Sequence, residues 1–259
     1  MAGAVGSSKI LVIHGTMRRI NTFRVTEVVR QRLQGQGDVT FEEIWLQDLG
    51  LEYCQSCYRC FMRGEEYCPH ADKVQPLAEK LADADGFVLT SPCFSLQVPG
   101  HVKAWLDHMS YCFHRPCFFT KKALVISTTA GQGADAITKY LQDVLMHWGV
   151  NRVHRLGVAC RSLNFEPDAK AVARIERVAD AFLADVQGNV LRAPTLKRVA
   201  YFNVWRAMAL AGPADGSRDY TYWQETGFSE VPYSPDVPCG AGRRAFGNGM
   251  YWLMKKVIR

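Results

Sequence analysis

The chain has 259 residues, of which 48% are hydrophobic and 22% are charged, a composition typical of one large folded domain or of one domain with an appendage. No run of about 18 apolar residues is present, and MAGAVGSSK leads straight into a strand pattern, so we expect neither a transmembrane helix nor a secretory signal. The net charge of +6 favours anionic small ligands, whereas the lack of a concentrated basic patch argues against nucleic-acid binding.

Cysteine is unusually frequent, with nine residues in the chain. Four of them crowd into one segment: Cys54, Cys57, Cys60 and Cys68. The other five are dispersed: Cys93, Cys112, Cys117, Cys160 and Cys239. An odd number without an export signal argues against a disulfide framework and favours a reducing compartment, so we expect a cytoplasmic location.

Five short apolar segments have the length of β-strands, at positions 9–14, 40–46, 86–90, 123–127 and 153–160. Segments with helical periodicity separate or follow them: one that contains Phe23 and Leu33, then 74–84, one that contains Val102 and Met109, then 135–148 and 168–186. This alternation predicts an α/β fold, in which a doubly wound five-stranded parallel sheet has helices on both faces. Three histidines near the third helix, His101, His108 and His114, are interpreted as scattered surface residues rather than as metal ligands.

The loop after the first strand, GTMRRINT at 15–22, separates a buried strand from a helix start. Free N–H groups and the positive end of a helix dipole would face an anion there. Thr16, Asn21 and Thr22 carry hydrogen-bond donors, and Arg18 carries a positive charge. The loop is therefore a candidate phosphate site, although an ordinary turn with a threonine cap is an equally good interpretation of this loop alone.

Two further loops leave the carboxyl ends of predicted strands, SPCFSL at 91–96 and TTAGQG at 128–133. Ligands of parallel α/β sheets bind beyond these ends, where the strand order reverses. We therefore expect the three loops to form one crevice. Its candidate binding residues in the second and third loops are Ser91, Pro92, Cys93, Phe94, Ser95, Thr128, Thr129, Ala130 and Gly131.

These loops resemble those of the flavodoxin-like family of NAD(P)H-dependent FMN reductases and iron–sulfur flavoproteins. The family's phosphate loop runs roughly GSPR…GNT, and GTMRRINT is similar to it, with Thr16 in place of serine and without the proline and one glycine. The family motif SPVY, followed by a lysine and an aspartate on a helix, is similar to SPCF with Lys103 and Asp107; Phe94 replaces the tyrosine. Thr128-Thr129-Ala130-Gly131 resembles the loop along the flavin ring, and the resemblance extends over about 9–187.

The resemblance implies a flavodoxin-like fold, bound FMN, and electron transfer from NAD(P)H to a small acceptor such as a flavin or quinone. It implies binding residues but no catalytic residue, because the cofactor carries the redox chemistry. It also implies a homodimer or homotetramer. Two alternatives stay open: an iron–sulfur flavoprotein that exchanges electrons between a cluster and FMN, and a non-catalytic electron carrier.

The cysteine loop, at about 50–72, has three thiols at intervals of three residues and a fourth eight residues later. Such spacing would allow Cys54, Cys57, Cys60 and Cys68 to surround a cubane cluster, and it resembles the compact motif of iron–sulfur flavoproteins. Three interpretations stay open: a 4Fe-4S cluster, free or redox-active thiols, and structural zinc. Because the loop follows the second strand, we expect it near the flavin crevice.

The last part of the chain breaks the alternation of strands and helices, so we predict a flavodoxin-like FMN-binding domain at 1–188 and a mostly helical extension at 189–259. The segment 196–210 has helical periodicity, 219–228 is an aromatic loop or short helix, and 243–259 is basic and apolar. The extension is interpreted as an arm that packs on the core or on a second subunit, or as an amphipathic segment on a membrane surface. The arm is favoured because Gly247 and Gly249 should weaken a continuous helix.

Overall fold

The computed structural model describes residues 7–211 and 216–258. Five parallel strands form one sheet in the order β2-β1-β3-β4-β5. They are β1 (Ser8–His14), β2 (Val39–Trp45), β3 (Gly86–Pro92), β4 (Lys122–Thr129) and β5 (Arg152–Ala159). The predicted fold is confirmed, and every strand ends within two residues of its predicted bounds. The chain leaves β1 toward β2 on one side and returns to β3 on the other, so the strand order reverses between β1 and β3.

Ten helices are found in the described residues: α1 (Asn21–Gln34), α2 (Arg59–Met62), α3 (Ala71–Asp83), α4 (Gly100–His108), α5 (Tyr111–His114), α6 (Ala134–His147), α7 (Ala169–Gln187), α8 (Leu196–Ala211), α9 (Arg218–Glu225) and α10 (Ala241–Val257). The segment 219–228, predicted as an aromatic loop or short helix, contains all of the helix α9 except its first residue. The predicted cysteine loop is not wholly irregular, since it contains α2 and a short 3-10 turn at Glu65–Tyr67. Residues 1–6, 212–215 and Arg259, at the end of the predicted segment 243–259, lie outside the described residues.

Alternate side chains of the strands fill two hydrophobic layers, one on each face of the sheet. On β1, Leu11 and Ile13 pack with α3, α4 and α6, whereas Ile10 and Val12 pack with α1 and α7. Because both of their faces are buried, the central strands β1, β3 and β4 are largely apolar rather than alternating, whereas the edge strands β2 and β5 include exposed polar residues. This burial explains why their sequence pattern predicted parallel strands.

The C-terminal extension packs on the sheet domain of its own chain. A third hydrophobic core joins Phe119, which precedes β4, to Phe202 of α8 and Trp223 of α9. The guanidinium of Arg198 donates to three consecutive backbone carbonyls, those of Gly149, Val150 and Asn151. The division at 188 and 189 stays a prediction, but packing on the core agrees with the arm interpretation.

One expectation about the extension is wrong, because α10 is continuous through Gly247 and Gly249. Gly247 is buried against α8, and a Cβ there would lie 2.9 Å from Val199 Cγ1 and 2.8 Å from Asn203 Nδ2. Glycine therefore permits close contact between α10 and α8, and this contact offsets its low helix propensity. Within the described residues, no helix combines the length and the apolar character needed to cross a bilayer.

Candidate functional site

The three predicted loops meet in one crevice of about 460 Å³ at the strand-order reversal. Ten of the predicted binding residues line it: Thr16, Arg18, Asn21, Thr22, Pro92, Cys93, Phe94, Thr128, Thr129 and Ala130. Three further lining residues were not predicted: Met17, Ile20 and Cys160. The carboxyl ends of β1, β3 and β4 bring these distant segments together, as the fold rule requires.

Three predicted residues stand apart from this crevice. Ser91 is fully buried in β3 and donates to the carbonyl of Pro92. Ser95 lies in the tight turn that follows Phe94. Gly131 lines a neighbouring cleft that also contains Arg155 and Arg174.

The first loop begins with a close backbone approach at Gly15. Its N–H donates to the Thr90 carbonyl over 3.0 Å, and a Cβ would lie 2.2 Å from that oxygen, so only glycine fits. The imidazole of His101 approaches the Gly15 carbonyl from α4, with Nε2 3.0 Å from the oxygen. Because a carbonyl only accepts, Nε2 carries the proton, and burial lowers the pKa of His101. His101 is half-buried rather than a surface residue, and no local sequence pattern indicates its contact with Gly15.

Positive charge and unpaired backbone donors meet where the first loop enters α1. No side chain caps this helix, and its first turn contains no acidic residue. Arg18 is exposed, and no carboxylate of the described residues pairs with it. The guanidinium of Arg19 instead lies over the rings of Phe23 and Trp45, 5.5 Å and 5.3 Å from their centroids. The first turn of α1 and Arg18 together favour an anion.

Hydrogen bonds fix the first and third loops against each other. The hydroxyls of Thr22 and Thr128 are 2.7 Å apart, and both residues are buried. The Asn21 amide donates to the Ser162 carbonyl over 2.6 Å and accepts from the Phe165 N–H over 3.2 Å. The nitrogen and the oxygen of the Asn21 amide therefore both form hydrogen bonds with the segment that follows β5.

The second loop is a tight turn that presents an aromatic ring at the crevice. Phe94 and Gln97 exchange backbone hydrogen bonds of 2.8 Å and 2.9 Å. Ser95 and Leu96, between them, have φ values of 50° and 61°, in the left-handed region. Phe94 is left 49% exposed, as a flat apolar surface beside the crevice.

The four crowded cysteines line a second cavity, of about 140 Å³, together with His70 and His108. Ser56 and Tyr58 have φ values of 52° and 58°, and these left-handed residues turn the chain tightly between Cys54, Cys57 and Cys60. Burial raises the pKa of Cys60 to about 11 and also raises the pKa of Cys68, so these thiols are protonated near neutral pH unless a cation binds.

The chemistry and number of these donors fit a cubane cluster. In such a cluster each thiolate binds a different iron, so the four sulfurs surround a cavity instead of converging on one point. No three His, Cys, Asp or Glu side chains of residues 7–211 and 216–258 converge on a single-ion site. The cavity is thus lined by four residues of the type that binds an iron–sulfur cluster.

Helix α4 contacts both the start of the first loop and the cysteine cavity. His101, near its start, lies against the Gly15 carbonyl, and His108, at its end, lies in the cavity with Nδ1 3.7 Å from Cys68 Sγ. His108 Nε2 donates to the Glu52 carbonyl over 2.9 Å. The seven-residue separation corresponds to about 10 Å along a helix. The expectation that His108 is a surface residue is wrong, since it is only 4% exposed.

A family model described as NADPH-dependent FMN reductase matches residues 8–162. An iron–sulfur flavoprotein of Archaeoglobus fulgidus is 27% identical over 179 residues, which are 67% of this chain and 80% of that protein. An FMN-dependent NADH:quinone oxidoreductase of Rhizobium meliloti is 28% identical over 134 residues, 46% of this chain and 62% of that protein.

Solved structures show the same fold. An NADH:FMN oxidoreductase (EMOB) in its apo form aligns with a TM-score of 0.50 at 20% identity, over 68% of this chain and 88% of its own. A flavone reductase aligns with a TM-score of 0.53 at 18% identity, over 69% of this chain and 63% of its own. The family match covers more than half of the chain and includes all three crevice loops. The chain belongs to the NADPH-dependent FMN reductase family and is an FMN-dependent oxidoreductase that takes electrons from NAD(P)H.

Proposed function

We propose that the crevice formed by loops 15–22, 91–96 and 128–133 holds FMN, and that electrons from NAD(P)H pass there to a small acceptor such as a flavin or quinone. The observation that carries this proposal is the convergence of the three loops at the reversal of strand order. Flavin and quinone rings are flat, so they suit a crevice that remains open beside Phe94.

The phosphate end of the proposed cofactor site is the first loop. Arg18 provides an exposed guanidinium, and the first turn of α1 provides backbone N–H groups without a side-chain cap. A phosphate dianion would gain hydrogen bonds from both. Thr22 and Asn21 support this end indirectly, because their hydrogen bonds hold the loop against its neighbours.

The ring end of the proposed site is the wall made by Pro92, Cys93, Phe94 and Ala130. FMN, when bound, supplies the group that accepts a hydride and passes electrons onward. Among the described residues, no carboxylate or imidazole lines the crevice. The contribution of the chain is therefore to bind and orient the cofactor rather than to move a proton.

The test uses the exposed Arg18. We expect Arg18→Ala to weaken FMN binding by about 1.5–3 kcal/mol, the usual contribution of a hydrogen bond to a charged group, and to leave riboflavin binding unchanged. Fluorescence titration of the flavin-free protein measures both affinities. Arg19→Ala is the matched control, because Arg19 lies over the Phe23 and Trp45 rings, and its effect on FMN should be smaller.

Two results would contradict the assignment. Failure of the purified protein to bind FMN would rule out the crevice as a cofactor site. Equal losses for FMN and riboflavin in Arg18→Ala would rule out contact between Arg18 and the phosphate.

A second function, supported by the cysteine cavity, is an electron relay through a 4Fe-4S cluster. Four thiols around one cavity are the specific observation in its favour. Anaerobically prepared protein should then contain about four iron and four sulfide per chain. Cys57→Ser should remove the cluster and retain FMN, since Cys57 lies outside the flavin crevice.

Cys117→Ser is the matched control for this test, because Cys117 is also exposed but does not line the cavity. It should leave the iron content unchanged. If the protein contains no iron after anaerobic reconstitution, the relay proposal is wrong. The reductase activity would then be the only function proposed for the protein.

A further inference from the structure

The exposed side of α10 carries four large apolar side chains. Phe246, Trp252, Leu253 and Val257 are 37%, 58%, 54% and 69% exposed. At 3.6 residues per turn, Phe246, Leu253 and Val257 lie within about 40° of one another around the helix. Trp252 lies about 100° from Leu253, and Lys256 lies between the two, so the exposed residues share one broad side of the helix. These four residues, with the exposed Lys256, are called the α10 face below.

The opposite side of α10 is already occupied by the protein itself. Gly247 is buried against α8, and the guanidinium of Arg206 lies 4.0 Å from the centroid of the Tyr251 ring. The α10 face therefore points away from the rest of the described chain. Burial within the subunit does not account for its apolar residues.

Positive charge accompanies this apolar surface. Four basic residues lie on α10, Arg243, Arg244, Lys255 and Lys256, and the described part of the chain from 241 onward contains no aspartate or glutamate. The Lys255 ammonium lies 5.2 Å from the Trp252 ring centroid. A helix with exposed aromatic and aliphatic residues on one side and cations beside them has the composition of helices that lie in the lipid headgroup region.

A second copy of the chain is a poorer occupant of this surface. In a two-fold contact the same patch faces itself, so the basic residues of both helices would meet without an acidic partner on α10. Anionic lipid headgroups supply the missing negative charge, and the acyl region accepts the apolar side chains. We propose that the α10 face docks the protein on the surface of an anionic membrane.

The first experiment is co-sedimentation of the full chain with vesicles of phosphatidylcholine, with or without phosphatidylglycerol, at low and high salt. We expect binding to the vesicles that contain phosphatidylglycerol, weakened by salt because headgroup attraction is screened. Leu253→Ser should reduce partitioning about tenfold, through the loss of buried apolar area. Leu163→Ser is the matched control, because Leu163 is 73% exposed but lies between β5 and α7.

Charge is tested in the same assay. Lys256→Glu should lower partitioning at least about fivefold, whereas Lys139→Glu, an exposed residue of α6, should change it little. Quenching of tryptophan fluorescence by brominated lipid gives a second measurement. Trp252 is exposed and the other five tryptophans are buried or half-buried, so Trp252→Phe should remove the quenching.

The proposal is overturned if the full chain stays in solution with anionic vesicles, or if Leu253→Ser and Leu163→Ser bind vesicles equally. A dimer in light scattering that Leu253→Ser dissociates, without vesicle binding, would assign the face to a second copy. Since vesicle binding requires no flavin, these outcomes are independent of the proposed redox function.

Discussion

Among single residues, Asn21 has a role that its chemistry alone does not reveal. The sequence predicts that its amide donates to a phosphate. In the structure both ends of the amide are engaged by Ser162 and Phe165, which are 141 and 144 positions away. Contacts at such separations leave no local pattern, and direct contact of Asn21 with a phosphate stays a prediction.

Burial of histidine predicts how stability depends on pH. His147, at the end of α6, stacks on Phe113 and meets the edge of Tyr201, with ring centroids 5.0 Å and 4.2 Å away. Burial, then the charges of Lys197 and Arg198, lower the pKa of His147, and the charge of Asp143 opposes them. The folded state therefore takes up the proton at a lower pH than the unfolded state does.

The sign of the effect follows from this order. The neutral, buried His147 contributes fully to the unfolding free energy above the unfolded pKa of 6.5. This contribution is lost as the pH falls from 6.5 through the lower pKa of the folded state. His147→Phe keeps the aromatic contacts and removes the titration. We expect the loss of unfolding free energy between about pH 7.5 and about pH 5.5 to shrink by up to about 1 kcal/mol, measured by urea denaturation. An unchanged loss would contradict this role for His147.

Among the elements, α10 is the one whose sequence pattern was most misleading. Two of its three glycines, Gly247 and Gly249, have opposite environments. A Cβ on Gly247 would lie 2.8–2.9 Å from atoms of Val199, Asn203 and Pro232, whereas a Cβ on Gly249 meets nothing within 4 Å. Helix propensity treats both positions alike, so only packing distinguishes them.

Alanine at each position tests this distinction. Gly247→Ala should destabilise the protein by about 1–3 kcal/mol, because its methyl group overpacks the contact between α10 and α8. Gly249→Ala should stabilise it by about 0.5–1 kcal/mol, through the lower entropy of the unfolded chain and better helix propensity. Urea midpoints of the two variants measure both effects. If both variants change the urea midpoint in the same direction, the surroundings of Gly247 and Gly249 do not differ as described.

The strands and three loops could be predicted because their signals are local. A buried parallel strand is apolar throughout, and Gly15, Thr16 and Arg18 follow one directly. The part played by α4 could not be predicted in this way. His101 contacts a carbonyl 86 positions earlier and His108 one 56 positions earlier, so the link from the first loop to the cysteine cavity exists only in the folded chain.

Across the whole molecule, charged residues join the extension to the rest of the protein. Arg115 is 2% exposed and pairs with Glu65 of the cysteine segment and with Asp219 of α9. Rings from the same three regions stack in a row, with His114 between Phe61 and Trp205, 4.2 Å and 4.0 Å from their centroids. The wall of the cysteine cavity thus depends on the extension as well as on the sheet.

Arg198 tests whether extension and sheet unfold as one unit. Its guanidinium donates to the carbonyls of Gly149, Val150 and Asn151, in the turn that leads into β5. Arg198→Met keeps much of the apolar stem but leaves three buried carbonyls without their donor. We expect a loss of about 2–4 kcal/mol, because hydrogen bonds to charged groups are stronger than neutral ones and unpaired buried carbonyls are costly.

The matched control for Arg198→Met is Lys197→Met, since the Lys197 side chain is 61% exposed and its nearest carboxylate, that of Asp143, is 3.8 Å away. It should change stability by less than about 0.5 kcal/mol. The arginine variant should unfold in one transition at a lower urea concentration, with tryptophan fluorescence and far-UV circular dichroism coincident. Two separated transitions would mean that the extension unfolds by itself, and that the contacts of Arg198, Arg115 and the third core do not couple it to the sheet.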